Sequence, residues 1–423
     1  MKKKQQKLLI LGGNALSCDI VTTAKGMGIY TIVTDWNSEE KSPAKKIADE
    51  AWDISLLDYD ELTKRISKHE IDGIITGFTD SYLEPYAELC RRNNLHCYAN
   101  QQEFSKTLDK SIFKQLCIEN DIPTVPQFKI EEINEKEKLP AQKVIIKPVD
   151  SSGSKGITLV SDYSDFDKAL EESLSYSKKG EVIIEQYMET DDVSMCYTLQ
   201  DGNISLSAIC DRYIHKTKYF GSVTSGLIYP SRYLDRYISE VDKKVKCMLQ
   251  SMGLKNGVLF MQAFVNKDTF YFYEMGYRLS GGRHYIFTQE ENNISALKDL
   301  IRFAITGKMD TQDIRLKDSP HFKNVYSQVS ILCKSQLIAK IEGLDELNVI
   351  PGVLDVSLSY KEGDKVGKEG TTMQIVARVH LKAKSIQEMC KLISLVKGTL
   401  HIISENGEDM IEDYFQLPLN LYE

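Results

Sequence analysis

Apolar and polar positions along the chain fall into two textures. Up to about residue 104, short apolar runs alternate with stretches of helical spacing. Lys7–Leu11 reads as a buried strand and Gly12-Gly13-Asn14 as a turn. Leu16, Ile20, Val21, Ala24 and Met27 then recur on one helical face. Tyr30–Val33 is the next strand, ending at Asp35, and Ile71–Thr76 is a third, closing in Gly77-Phe78-Thr79-Asp80. Strands alternating with helices in this way predict a parallel sheet covered on both faces.

Near Leu108 the pattern changes. Asp109-Lys110 opens a helix with Ile112, Phe113, Leu116 and Cys117 on one face, and Ile122-Pro123 ends it. Glu131–Lys138 reads as a solvated charged stretch. The following segment is rich in strands: Val144–Ile146, Ile157–Val160, Val182–Gln186, Val193–Leu199 and Ile204–Ile209. A helix is expected over Tyr233–Met252, a hairpin over Leu259–Met275 and a helix over Ser295–Thr306. The last hundred or so residues give strands at Val325–Cys333, Gln336–Gly343, Val353–Tyr360 and Thr372–Leu381, a helix at Ser385–Lys397 and a closing strand at Leu400–Ile403. That order predicts an α+β unit.

Composition narrows the class. With 423 residues, two to four domains are expected. The 53 basic residues against 61 acidic ones leave a net charge of −8, which argues against a surface built for nucleic acid. No apolar run approaches the roughly 20 residues of a membrane span. The apolar run after Met1-Lys2-Lys3-Lys4 is too short for a signal peptide, so a cytoplasmic protein is expected. The nine cysteines are scattered with no C-x-x-C pair, and the seven histidines are scattered too; disulfides and a zinc site are not expected.

Three segments carry chemistry. In the first, Lys147 ends a buried strand, Pro148 stops the ladder, and the small polar loop Ser151-Ser152-Gly153-Ser154-Lys155-Gly156 follows. Such a loop can turn several backbone N–H groups toward an anion, and a plain hairpin loop would look the same. The second is Glu185-Gln186-Tyr187-Met188 with Asp192 seven positions after Glu185. Its backbone could face a flat heterocycle and its acid a ribose, though an ordinary strand with an acidic turn also fits. In the third, a turn centred on Asp268 places Gln262 opposite Glu274, on one face of a hairpin. An amide oxygen and a carboxylate there suit one hard cation such as Mg²⁺, and Arg278 follows as a bidentate oxyanion clamp. A one-residue slip would separate the pair. Gly12-Gly13 lacks the later glycine of a dinucleotide fingerprint.

In order, these segments resemble the ATP-grasp superfamily of carboxylate–amine ligases. The resemblance implies a multidomain α/β and α+β fold. Its parts are a Rossmann-like unit at residues 1–104, the ATP-grasp at 105–320 with a smaller lid subdomain at about 121–190, and a small α+β unit at 321–423. It implies that Lys110 and Lys147 contact ATP, with Ser152, Gly153, Ser154 and Gly156 in the covering loop. It assigns Glu185, Gln186, Tyr187 and Met188 to the adenine hinge and Asp192 to the ribose. Gln262 and Glu274 become ligands of Mg²⁺ (or Mn²⁺). Arg278, with Lys147, becomes a catalytic group on the γ-phosphate and acyl phosphate. Gly276 stands where the superfamily usually has Asn, so one metal ligand is missing; either a water, or Asp, Glu or Asn from elsewhere, fills that place, or a second metal binds weakly, and the number of metal ions stays open.

The implied reaction makes an acyl phosphate from a small carboxylate, an amino acid in the main reading, and passes the acyl group to an amine, releasing ADP and phosphate. The alternatives are bicarbonate or formate as the acid, and a nucleotide-binding regulator without turnover. Arg283, His284 and Arg212 are candidates for holding substrate. The implied partners are a small carboxylate and an amine, with no nucleic acid and no membrane; homodimers are common in the superfamily.

Overall fold

The computed structural model describes residues 4–150, 156–216, 222–310, 312–412 and 415–422. The N-terminal alternation folds as expected. Four parallel strands lie in the order Glu50–Asp53, Tyr30–Asp35, Lys7–Leu11, Gly73–Ile75. Leu8, Leu9, Ile10, Ile32 and Val33 are wholly buried, as a sheet covered on both faces requires. The Gly12-Gly13 turn is filled by the protein itself. Tyr82 lies where a side chain on Gly12 would sit, and Gly12 has φ +90°. Asp35 accepts from the Gly13 N–H (2.8 Å) and from Ser42 Oγ (2.7 Å), and pairs with Lys45.

A separate four-stranded antiparallel sheet, ordered Gln127–Phe128, Val182–Gln186, Val144–Pro148, Thr158–Val160, packs on the helix Phe166–Ser175. The stretch read as solvated is a helix over Ile130–Lys136. Its Ile133 is buried against this sheet, a single apolar position that the surrounding charge hid.

The main body is an eight-stranded antiparallel sheet: Phe270–Gly276, Gly257–Val265, Asp191–Gln200, Asn203–Lys216, Ser222–Tyr229, Val325–Leu332, Ile375–Ala383, Val353–Leu358. It continues without a break through residue 320, so strands after that position extend the same sheet. One face (Met195, Tyr197, Leu199, Leu259, Met261) shares a core with the N-terminal unit. The other face is apolar around Cys196, Cys210, Tyr229 and Phe260, and its polar positions build the site. The helix expected over Tyr233–Met252 is interrupted by a π-helical turn at Ile238–Asp242. There Tyr197 donates to Asp242 (2.8 Å), inside the core. Among the described residues, no helix is long and apolar enough to cross a membrane.

Candidate active site

Two surfaces face each other across the site. The small sheet and the helix Lys110–Glu119 form one, and the polar face of the large sheet forms the other. On the first, Glu185 and Lys147 lie on adjacent strands, with Ile145 opposite Glu185 and Lys147 two residues further on, so both side chains point the same way. Lys147 Nζ sits 2.8 Å from Glu185 Oε2, and Lys114 Nζ lies 2.8 Å from Oε1. Burial works against the Glu185 charge, but Lys147 and Lys114 outweigh it and hold the carboxyl below its usual range. Glu185 is therefore a buried bracket for two lysines, and its side chain is not presented to a ligand.

Lys114 is absent from the sequence reading. Its signal was available: it lies four residues after Lys110, on the same helical face. Lys110 opens the helix, where Asp109 caps by accepting from the Ser111 and Ile112 N–H groups. Burial lowers the Lys110 pKa; Glu274 opposes that shift, Lys147 adds to it, and Asp80 and Asp150 oppose it. These groups thus share one neighbourhood. Ser152, Gly153 and Ser154 lie outside the described residues. Gly156 is described, with φ +73° and no room for a side chain between Tyr176 and Pro148.

At the expected hinge, the Gln186 N–H donates to Pro126 O (2.9 Å) and the Tyr187 N–H to Lys143 O (3.1 Å). Gln186, Tyr187 and Met188 are half-buried along that edge. Asp192 is buried and paired with Arg212 Nη1 (2.8 Å), and it accepts from Tyr273 OH (3.1 Å). Burial raises its pKa. Arg212, a candidate for substrate, also donates to Thr224 Oγ1 (3.1 Å) and stays protonated beside Asp192.

On the large sheet, Gln262 does pair with Glu274. The register arrives there by a route the sequence did not reveal. Val265 pairs with Phe270 across the turn, and a β-bulge at Tyr273 shifts the ladder by one residue before Gln262 is reached. Without the bulge Gln262 would face Tyr273. The bulged Tyr273 stacks on Phe264 and lies 5.5 Å below Lys147 Nζ, so it touches both surfaces of the site. Gln262 and Glu274 fit one hard cation whose other ligands are phosphate oxygens and water. Asp192, a carboxylate in the neighbourhood of Glu274, is committed to Arg212, and the described residues contain no cluster of three or more His, Cys, Asp or Glu able to hold a metal.

Arg278 is gripped side-on by Asp80, Nε to Oδ1 and Nη2 to Oδ2, each 2.6 Å, and Nη1 donates to Leu279 O (3.0 Å). A guanidinium has five N–H donors; three are engaged here, leaving one on each terminal nitrogen. Arg283 differs. It donates to both oxygens of Asp19 (2.7 and 2.8 Å), to Asp355 and to Ser357 Oγ (3.0 Å). It ties the N-terminal unit to the C-terminal strands and so is not placed for a ligand. Beside it, His284 is fully buried with neither ring nitrogen hydrogen-bonded, and burial lowers its pKa to about 4.

A family model described as an ATP-grasp domain matches residues 109–282. Among curated relatives, a formate-dependent phosphoribosylglycinamide formyltransferase of Maridesulfovibrio salexigens is 29% identical over 44% of this chain and 48% of its own length. The Bacillus subtilis enzyme of the same description is 23% identical over 65% and 71%. The chain thus spans about half the length of the first relative and somewhat over two thirds of the second. Among solved structures, an L-amino acid ligase from Bacillus licheniformis superposes with TM-score 0.78 at 18% identity, covering 96% of this chain and 100% of that one. The biotin carboxylase domain of a Hydrogenobacter thermophilus 2-oxoglutarate carboxylase, solved with MgADP and bicarbonate, gives 0.75 at 18% identity over 94% and 90%. Residues 109–282 thus match an ATP-grasp domain, and the chain as a whole shares the fold of these solved structures.

Proposed function

We propose that this protein phosphorylates a small carboxylic acid with ATP and transfers the acyl group to an amine, and that formate is the acid. The observation that carries the reaction type is the facing arrangement of Lys110 and Lys147 with Glu274 and Arg278. Cations from the lid surface meet a metal-binding pair and a clamped arginine around one space. Support for formate over an amino acid comes from the curated relatives, described as formate-dependent formyltransferases.

Lys110 and Lys147 bind the phosphate chain. The edge at Glu185–Met188 reads the base through backbone groups other than the Gln186 and Tyr187 N–H groups, which bond within the protein. Gln262 and Glu274 would hold a divalent cation, which when bound would neutralise charge on the phosphate oxygens. The acid's carboxylate attacks the γ-phosphorus, giving acyl phosphate and ADP; the amine then attacks the acyl carbon and phosphate leaves. Arg278 presents its two remaining N–H groups to the oxyanion. No protein nucleophile is needed, because positioning and electrostatics do the work.

The test is ADP release from ATP and Mg²⁺ with formate, bicarbonate and a panel of amino acids, each with and without phosphoribosylglycinamide as the amine. Formate-stimulated release that Glu274→Ala abolishes is expected. Release driven only by amino acids would move the acid to that class, and release driven by no acid would sink the ligase reading.

A further inference from the structure

Phe260 and Gly276 lie directly opposite one another, one pair further along the hairpin than Gln262 and Glu274 and on the same face. A β-carbon built on Gly276 would lie 2.4 Å from Phe260 Cε1 and 2.6 Å from its Cζ. The ring cannot easily give way. Phe260 is 4% exposed, belongs to the apolar cluster with Cys196 and Phe287, and carries the Arg278 guanidinium 5.0 Å from its centroid. Position 276 is therefore closed to any ligating side chain, and what fills the space is an aromatic face beneath a cation. Arg278 itself is fixed there, edge-on by Asp80 and face-on by Phe260.

We infer that the hairpin holds a single divalent cation, on Gln262 and Glu274, and that Phe260 is a positioning residue whose ring fills the room beside Gly276 and holds one face of Arg278. This rests on the nucleotide site proposed above. Ring and glycine act as a matched pair: a polar side chain at 276 requires loss of the ring, and loss of the ring releases one face of the arginine.

The test counts Mn²⁺ by electron paramagnetic resonance in the complex with a non-hydrolysable ATP analogue. The wild type is expected to bind one Mn²⁺ per nucleotide and the double variant Phe260→Ala/Gly276→Asn two. Phe260→Leu keeps bulk and burial but removes the ring; its kcat is expected to fall about tenfold with KM for ATP within about twofold. Two Mn²⁺ in the wild type, or one in the double variant, would overturn the inference while leaving the nucleotide site standing. A Phe260→Leu enzyme with unchanged kcat would overturn the positioning role. A wild type that binds no Mn²⁺–nucleotide at all would remove the site and the inference together.

Discussion

Arg278 and Arg283 stand five residues apart after the same hairpin, and each is held by an aspartate from the N-terminal unit, Asp80 and Asp19. Their environments make them different devices. Arg283 meets two carboxylates and a serine and is 3% exposed, so it is a fastener between parts of the chain. Arg278 meets one carboxylate and an aromatic face, with donors to spare near Glu274. A buried arginine at an active-site edge is thus assigned to chemistry by what its donors lack, and the count of its partners separates the two roles.

The same substitution at both positions is the strongest way to break the contrast. Arg278→Lys keeps a charge for Asp80 but loses the planar fork. Its kcat should fall by about a hundredfold or more, with the thermal midpoint nearly unchanged. Arg283→Lys should do the reverse, losing about 1–2 kcal/mol of stability because one ammonium cannot reproduce the bonds to the partly buried Asp19 and Asp355 together, while the folded enzyme keeps kcat within about threefold. Both are read by chemical denaturation and steady-state kinetics on the same samples. If both variants lose activity at full stability, the contrast fails.

His284 sharpens the fastener side. Burial pushes its imidazole pKa down from the ordinary 6.5 to about 4. Between those values the unfolded chain binds more protons than the folded one. Stability is therefore lost as pH falls from 6.5 toward 4, by about 3 kcal/mol in total, and this contribution is flat below that. His284→Phe should flatten that slope in denaturation series run across the interval; an unchanged slope would show that other groups produce it. A smaller effect tests the chemical side. Asp80→Asn keeps the shape of the Arg278 clamp but weakens it, so kcat should drop about tenfold with KM for ATP nearly constant. A rise in KM alone would place Asp80 in binding instead.

Much of this was legible in the sequence. Strand–helix alternation gave the parallel N-terminal sheet because both of its faces are buried, and the Gln262–Glu274 pair could be read from turn position. What stayed hidden was non-local. The Tyr273 bulge has no period-two signature, and only two compensating one-residue errors, the turn centre and the missing bulge, led to the right pair. Asp80 reaches Arg278 across 198 positions of sequence, and the ion pairs that turn Arg283 from a ligand candidate into a fastener come from Asp19 and Asp355, 264 and 72 positions away. The strand pattern around Glu185 was visible, but the two lysines that hold its side chain were not, because Lys114 and Lys147 lie 71 and 38 positions away. The strands after residue 320 looked like a separate unit because sheet continuity is set by pairing, which apolar patterning does not encode.

The central claim is that a carboxylate oxygen attacks the γ-phosphorus of ATP between the lysines and Arg278. The direct measurement is oxygen transfer. Formate labelled with ¹⁸O is incubated with ATP, Mg²⁺ and phosphoribosylglycinamide, and the released phosphate is analysed by mass spectrometry. One labelled oxygen per phosphate, in step with ADP release, is the predicted result. Unlabelled phosphate released at the same rate as ADP would show that water is the attacking group and would contradict the account.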